Sequence, residues 1–185
     1  CLDTRFFIVK SFNEQNVERC MEDGVWATQS HNVQTLTKAF ASCKNVIFFF
    51  SVNRSKAFQG YARMVTAPSP DIPKPRWITN INWEVSDPFR IEWLSKTEVE
   101  FYRIGHIKNA YNEGNAVLVG KDGQEVEEEA GRKLLKEMLA IAQAKYEARH
   151  RGRREESPRL FLKREDPEGF ERDRERRGWG VREAW

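Results

Sequence analysis

Residues 45–52 read NVIFFFSV. From Val46 to Phe50 the side chains are apolar without alternation. A strand wetted on one face alternates polar and apolar residues. An unbroken apolar run of this length belongs to a strand covered on both faces, near the centre of a sheet. It is too short to cross a bilayer, so no membrane association is expected.

The neighbours of this run supply partners. RSKA (residues 54–57) is a turn of hairpin size, and FQGYARMVT (residues 58–66) returns beside the first strand. RFFIV (residues 5–9) has strand character, as does PFRIEWLS (residues 88–95), in which Phe89, Ile91 and Trp93 alternate. SFNEQNVERCMEDG (residues 11–24) is a short helix capped by Ser11 or Asn13 and ended by Gly24. VWAT is a short extended piece. SHNVQTLTKAFASC is an amphipathic helix with Val33, Leu36, Ala39, Phe40 and Cys43 on one face. APSPDIPKP (residues 67–75) is a proline-rich loop. Residues 101–131 hold short extended pieces and an Asp122-Gly123 turn. A helix from about Glu127 packs Leu134, Leu135, Met138, Leu139 and Ala142 on the sheet.

The last part differs in kind. Residues 151–185 contain eleven Arg or Lys and nine Asp or Glu with few large apolar groups. Such a segment cannot bury a core of its own. The expected organisation is one α/β (α+β) domain over residues 1–148 and a charged extension, helical or disordered, over residues 149–185. The extension offers a second surface, to RNA or to a protein partner.

Composition narrows the function. A net charge of +3 permits a nucleic-acid partner without demanding one. Cys1, Cys20 and Cys43 have no metal-ligand spacing and read as reduced thiols of an intracellular protein. His31, His106 and His150 lie far apart in the chain. No HExxH, GxSxG, phosphate-loop or dinucleotide motif is present, so neither catalysis nor a metal or other cofactor is expected. Asn53 opens an NRS sequon, but nothing before it resembles a signal peptide.

What remains is the tryptophans. Trp26 stands in GVWATQ, and Trp77 and Trp83 in PRWITNINWEV. Tryptophan is often core, and Trp93 fits that by its alternation. Trp26, Trp77 and Trp83 lie in polar, proline-flanked segments, where an aromatic held by a rigid sheet can also serve as a stacking platform for a base. Spacing alone leaves the two readings even.

TRFFIVKSFNEQNVERCMEDGVWATQSHN, VIFFFSVNRSKAFQGYARM, PRWITNINW, FRIEWL and GKDGQEVE, in that order over residues 4 to about 142, resemble a YTH domain of the nuclear or fungal-like kind. That family reads N6-methyladenosine in RNA. The resemblance implies an open or barrel-like mixed sheet of about six strands wrapped by about three to four helices. It implies an aromatic cage of Trp26, Trp77 and a third wall at Trp83, with Val85 as the alternative. It places base contacts at Lys10, Ser11, Phe12, Asn16 and Ala27. RNA-backbone contacts fall at Lys121 and Asp122, with Arg54 and Lys56 as added cations. Phe12 replaces the Asn or Tyr of other members, and Lys121 replaces an Arg, keeping the charge but losing the bidentate fork.

A methyl on N6 carries no charge, so such a cage works by burial and dispersion rather than cation–π attraction. The ligand is single-stranded RNA with the modified base splayed out. The implied protein is a non-catalytic, monomeric reader placed in the nucleus, with the cytoplasm as a further site. The alternative is a single-strand RNA binder indifferent to the methyl group.

Overall fold

The structure is a computed structural model and describes residues 3–80 and 84–151, with residues 79 and 80 by backbone only. Trp83 and the charged stretch from residue 152 onward lie outside the described residues. The chain divides into two units, Cys1–Ala142 and Gln143–Trp185. The fold below is that of the first; the described part of the second is residues 143–151.

Two buried strands organise the sheet. β1 (Thr4–Ser11) and β3 (Asn45–Val52) pair in parallel from Thr4↔Asn45 to Ser11↔Val52. The chain between them forms α1 (Glu14–Asp23), β2 (Val25–Trp26), a 3-10 turn (Ser30–Asn32) and α2 (Val33–Ser42). β4 (Ala57–Met64) returns antiparallel to β3 as the hairpin predicts. β5 (Phe89–Ser95) pairs with β4, and β2 with β5. Between β4 and β5 lies a 3-10 helix, Arg76–Asn80.

Beyond β5 come β6 (Val99–Glu100), α3 (Phe101–Ile104), β7 (Lys108–Asn109), a 3-10 turn (Ala110–Asn112), β8 (Asn115–Ala116), β9 (Glu125–Val126) and α4 (Glu128–His150). The order in the mixed, seven-stranded sheet is β2-β5-β4-β3-β1-β9, with β6 joined to β4; β7 and β8 form a separate ladder. The count exceeds the expected six because the two-residue strands β2, β6 and β9 complete the sheet, and pairs so short leave little periodicity. Phe101–Ile104 is helical rather than extended: Phe101 and Ile104, three apart, turn inward together while Tyr102 and Arg103 stay exposed.

Alternation along β1 and β3 sorts the apolar groups onto two faces. Phe7, Val9, Val46, Phe48, Phe50 and Val52 lie with Val17 and Cys20 of α1 and with Leu36 and Ala39 of α2. Phe6, Ile8, Ile47 and Phe49 lie with Leu134 and Met138 of α4. On the α4 side Phe6 and Phe49 stack with ring planes 10° apart and centroids at 5.9 Å. Fully burying a phenylalanine stabilises by about 1.5–3 kcal/mol, so these rings carry much of the fold. Gly131 of α4 is needed for close approach: an added Cβ would collide with Phe6.

The helix ends follow the sequence signals. Asn13, rather than Ser11, caps α1, accepting from the Asn16 amide at 3.0 Å. Gly24 ends it in the left-handed conformation, with φ 65°.

Leu134→Ala should destabilise the chain by about 2–5 kcal/mol, because it empties a fully buried position between α4 and the sheet. Asn13→Ala should cost only about 1 kcal/mol, the loss of one cap. Urea unfolding of both variants measures the two and should rank them in that order.

Candidate nucleic-acid interface

The sheet face that carries α1 and α2 opens at one end into a cleft of about 330 Å³, counted to its open mouth. Its lining comes from three parts of the chain. The end of β1 and start of α1 contribute Lys10, Ser11, Phe12 and Asn16. β2 and the residues after it contribute Trp26, Ala27, Thr28 and Gln29. Trp77, Val85 and Asp122 complete it.

Trp26 and Trp77 are 3% and 4% exposed, with ring centroids 4.7 Å apart and planes inclined at 40°. Phe50 meets Trp26 edge-on at 5.1 Å. The core and platform readings are therefore not exclusive: the rings pack with the core and still line the cleft. Both indole N–H groups are buried without a hydrogen-bond partner among the described residues. A flat ring held between two parallel walls needs them about 7 Å apart, twice the van der Waals spacing. At 4.7 Å and a 40° inclination the two rings are in contact with each other, closer than that spacing.

Asn16 is 7% exposed. Its backbone N–H is used by the Asn13 cap, while among the described residues no group bonds its side-chain amide. An amide at a cleft wall has a donor and an acceptor to offer the cleft. Ser11 is buried and donates its hydroxyl to the Asn13 carbonyl at 2.8 Å.

The polar frame centres on Asp122. Its carboxylate accepts from the Lys10 amide (2.9 Å), the Thr28 hydroxyl (2.9 Å) and the Asn32 amide nitrogen (3.1 Å). Burial raises its pKa above the ordinary value, and the Lys10 amide, the Thr28 hydroxyl and the Gln29 amide pull it back in part. Gly123 follows with φ 81°, and a Cβ there would collide with Asn32. Residues 84–86 are fastened to the frame by Ser86 N–H to the Thr28 carbonyl (2.8 Å) and Thr28 N–H to the Ser86 hydroxyl (3.1 Å). That fastening sets Val85 against the cleft. Thr28, Gln29 and Asn32 escaped sequence reasoning; their trace was the polar string ATQSHN, whose buried members need partners.

The other expected residues are placed as follows. Phe12 lies at the rim and is 67% exposed. Ala27 is buried beside Trp26. The Lys10 side chain points to the α4 face, its ammonium 5.5 Å from the Phe101 ring centroid and 3.5 Å from the Ser51 hydroxyl. Burial lowers its pKa. Lys121, Arg54, Lys56, Lys74 and Arg76 are exposed and outside the cleft lining. Arg54 and Lys56 have φ of 68° and 55°, a left-handed backbone that costs a non-glycine residue about 1–3 kcal/mol. Their hairpin is tied to the rim by Asn53 N–H donating to the Ser11 carbonyl at 2.9 Å. No group of His, Cys, Asp and Glu able to hold a metal occurs among the described residues.

Asp122 sets a pH signature. Its folded pKa lies above the unfolded one, so acid protonates the folded chain first and favours folding. The stability of the wild type relative to Asp122→Asn should therefore rise as pH falls through the folded pKa and level off below the ordinary value of 3.8. Urea unfolding of both proteins across this range tests it; a difference independent of pH contradicts it.

Comparison with known proteins agrees with this architecture. The YT521-B-like (YTH) domain family matches residues 4–139. The chain is 38% identical over 135 residues to YTH domain-containing protein 1 of Drosophila melanogaster, covering 71% of this chain and 19% of that protein. It is 37% identical over 137 residues to the 30-kDa cleavage and polyadenylation specificity factor 30 of Arabidopsis thaliana, covering 70% and 21%. The chain thus spans about a fifth of the length of these relatives. Among solved structures, the Toxoplasma CPSF4 YTH domain in complex with a 7-mer m6A-modified RNA superposes with a TM-score of 0.70 at 33% identity, over 75% of this chain and 92% of that one. With the family's match running from β1 into α4, the chain belongs to the YTH domain family.

Proposed function

We propose that this chain is a non-catalytic RNA-binding module that recognises N6-methyladenosine in a single strand. The observation that carries the reading is the convergence of Trp26, Trp77 and the unbonded Asn16 amide on one cleft. Two indoles provide faces for a purine and an apolar environment for its methyl group. The Asn16 amide offers both a donor and an acceptor to the adenine edge. Val85 adds an apolar wall. The relative of known structure most useful here is the Toxoplasma domain, whose bound RNA carries the same modification.

The energetics fit a modest, specific preference. Stacking contributes about 1–3 kcal/mol per base irrespective of methylation. Burying one methyl adds about 0.8 kcal/mol, a few-fold in affinity. A larger preference follows where the methyl fills space whose lining otherwise lacks contacts. Exposed Arg54, Lys56 and Lys121 supply cations for phosphates, whereas the Asp122 carboxylate is engaged by the protein's own donors. Arg54 and Lys56 hold a strained backbone in the hairpin whose Asn53 is bonded to Ser11, a kind of strain that collects at functional sites.

In this proposal the module acts as a monomer within residues 1–148, and residues 149–185 add charge for RNA or a protein partner. Its setting is mRNA processing in the nucleus, in line with the cleavage and polyadenylation factor among its relatives.

The test is a titration with two short RNAs that differ by one N6-methyl group. The wild type should prefer the methylated strand by about tenfold, or 1.4 kcal/mol. Trp26→Ala and Trp77→Ala should lose that preference while keeping the wild-type circular dichroism spectrum. Equal binding of the two RNAs by the wild type would leave a general single-strand binder in its place. Raising salt should weaken binding, with a log–log slope of about −0.7 per phosphate contact; an affinity flat in salt removes the cationic rim from the account.

A further inference from the structure

Val85 is half-buried and lines the cleft. It lies opposite Gln29 in an antiparallel bridge. On one side of that bridge Ser30 N–H donates to the Glu84 carbonyl at 3.2 Å, and on the other Ser86 N–H donates to the Thr28 carbonyl at 2.8 Å. In a regular antiparallel pair the return bond runs from the Thr28 amide to the Ser86 carbonyl. Here the Ser86 hydroxyl accepts it instead, at 3.1 Å, and donates its own proton to the Asp87 carbonyl at 2.7 Å. The exchange lets the chain leave the pair at Ser86, on its way to β5, without stranding the Thr28 amide. Ser86 and Thr28 are both buried, so that amide depends on a protein acceptor. Thr28 is itself tied to the polar frame, its hydroxyl donating to Asp122 and accepting from Asn32, both at 2.9 Å. One serine hydroxyl therefore joins the segment that carries Val85 to the frame around Asp122.

We infer that Ser86 is a positioning residue for methyl discrimination: its hydroxyl holds the Val85 wall at the distance where a methyl group in the cleft is felt. This rests on the cleft taking a methylated base, as proposed above. Ser86 is outside the cleft lining and touches no base in this account; it acts through Val85. The indoles supply stacking to any base, methylated or not. An apolar wall contributes to the preference for the methyl only while it stays in contact, since a gap of about 0.5–1 Å forfeits a quarter to a half of a dispersion contact. Without the hydroxyl the Thr28 amide lacks its acceptor, and the pair regains one only by shifting the segment that carries Val85. The consequence is a residue whose loss lowers the preference for the methylated strand and spares the affinity common to both strands.

The test is a double-mutant cycle read on the ratio of affinities for methylated and unmethylated RNA. Wild type, Ser86→Ala, Val85→Ala and the double variant are titrated with two short RNAs that differ by one N6-methyl group, at a temperature where circular dichroism shows each protein folded. Ser86→Cys, which nearly keeps the volume but accepts weakly, runs beside Ser86→Ala and takes its place if that variant does not fold. Ser86→Ala should lower the ratio by about fourfold, the worth of one buried methyl, with the unmethylated strand bound as by the wild type. The double variant should lose no more than Val85→Ala, because the hydroxyl acts through that side chain. Ile47→Val, a core change on the α4 face, should lower stability and leave the ratio unchanged. An unchanged ratio in the folded Ser86 variant, with or without an equal loss on both strands, overturns the inference. So do losses that add in full in the double variant, or the same fall in Ile47→Val. The two readings fail differently: a wild type that binds both RNAs equally removes the methyl reading and Ser86 with it, whereas a wild-type preference that survives in the Ser86 variant removes Ser86 alone.

Discussion

The parallel pairing of β1 with β3 is the constraint on which the rest depends. Each strand is buried on both faces, so each must find helices or loops above and below. The one-to-one register sends Phe7, Phe48 and Phe50 to one side and Phe6, Ile47 and Phe49 to the other. A slip of one residue would exchange the faces and strand apolar rings against the wrong helices. The parallel arrangement also requires a long connection, and that connection carries α1, β2 and α2. Trp26 lies within it, so the link that the sheet demands also builds one wall of the cleft.

The cleft exists because the α1–α2 side of the sheet is covered incompletely at its end. Chain segments far apart in sequence close around the gap: the end of β1, the piece after β2, the turn at Asp122 and residues 84–86. Asp122 draws three of these together by accepting from Lys10, Thr28 and Asn32. Holding a carboxylate there carries a desolvation cost, which the donors offset only partly. What the arrangement secures is a rigid lip beside two indoles whose N–H groups lack partners among the described residues.

Much of this was legible from residues alone. The uninterrupted VIFFF run announced a central strand, and the hairpin spacing announced its partner. The Asn13 and Gly24 signals bounded α1, and the leucine spacing marked α4. Of the two-residue strands, VWAT announced β2 and the short extended pieces of residues 101–131 cover β7, β8 and β9; β6 was not legible, because its pairing with β4 comes from a neighbour already in place rather than from its own pattern. Lys10 shows the same limit at the site. The resemblance places a base contact at Lys10, which contributes to the cleft lining while its ammonium lies 5.5 Å from the Phe101 ring centroid, a direction that strand alternation sets and its place beside Ser11 does not reveal.

The sequence by itself determined the kinds of groups available: an unbroken apolar strand core at Val46–Phe50, tryptophans in polar segments, and acids and histidines without an HExxH, GxSxG, phosphate-loop or dinucleotide motif. Family resemblance, carried by motifs in order, then directed attention to Trp26, Trp77 and Asn16. Only the tertiary structure decided which of these share a surface. It set the indoles 4.7 Å apart, left the Asn16 amide unbonded within the described residues, and made Asp122 a structural acceptor. The physical reason is that composition and periodicity are local, whereas a cleft is defined by residues more than a hundred positions apart whose distances are set by sheet register and packing.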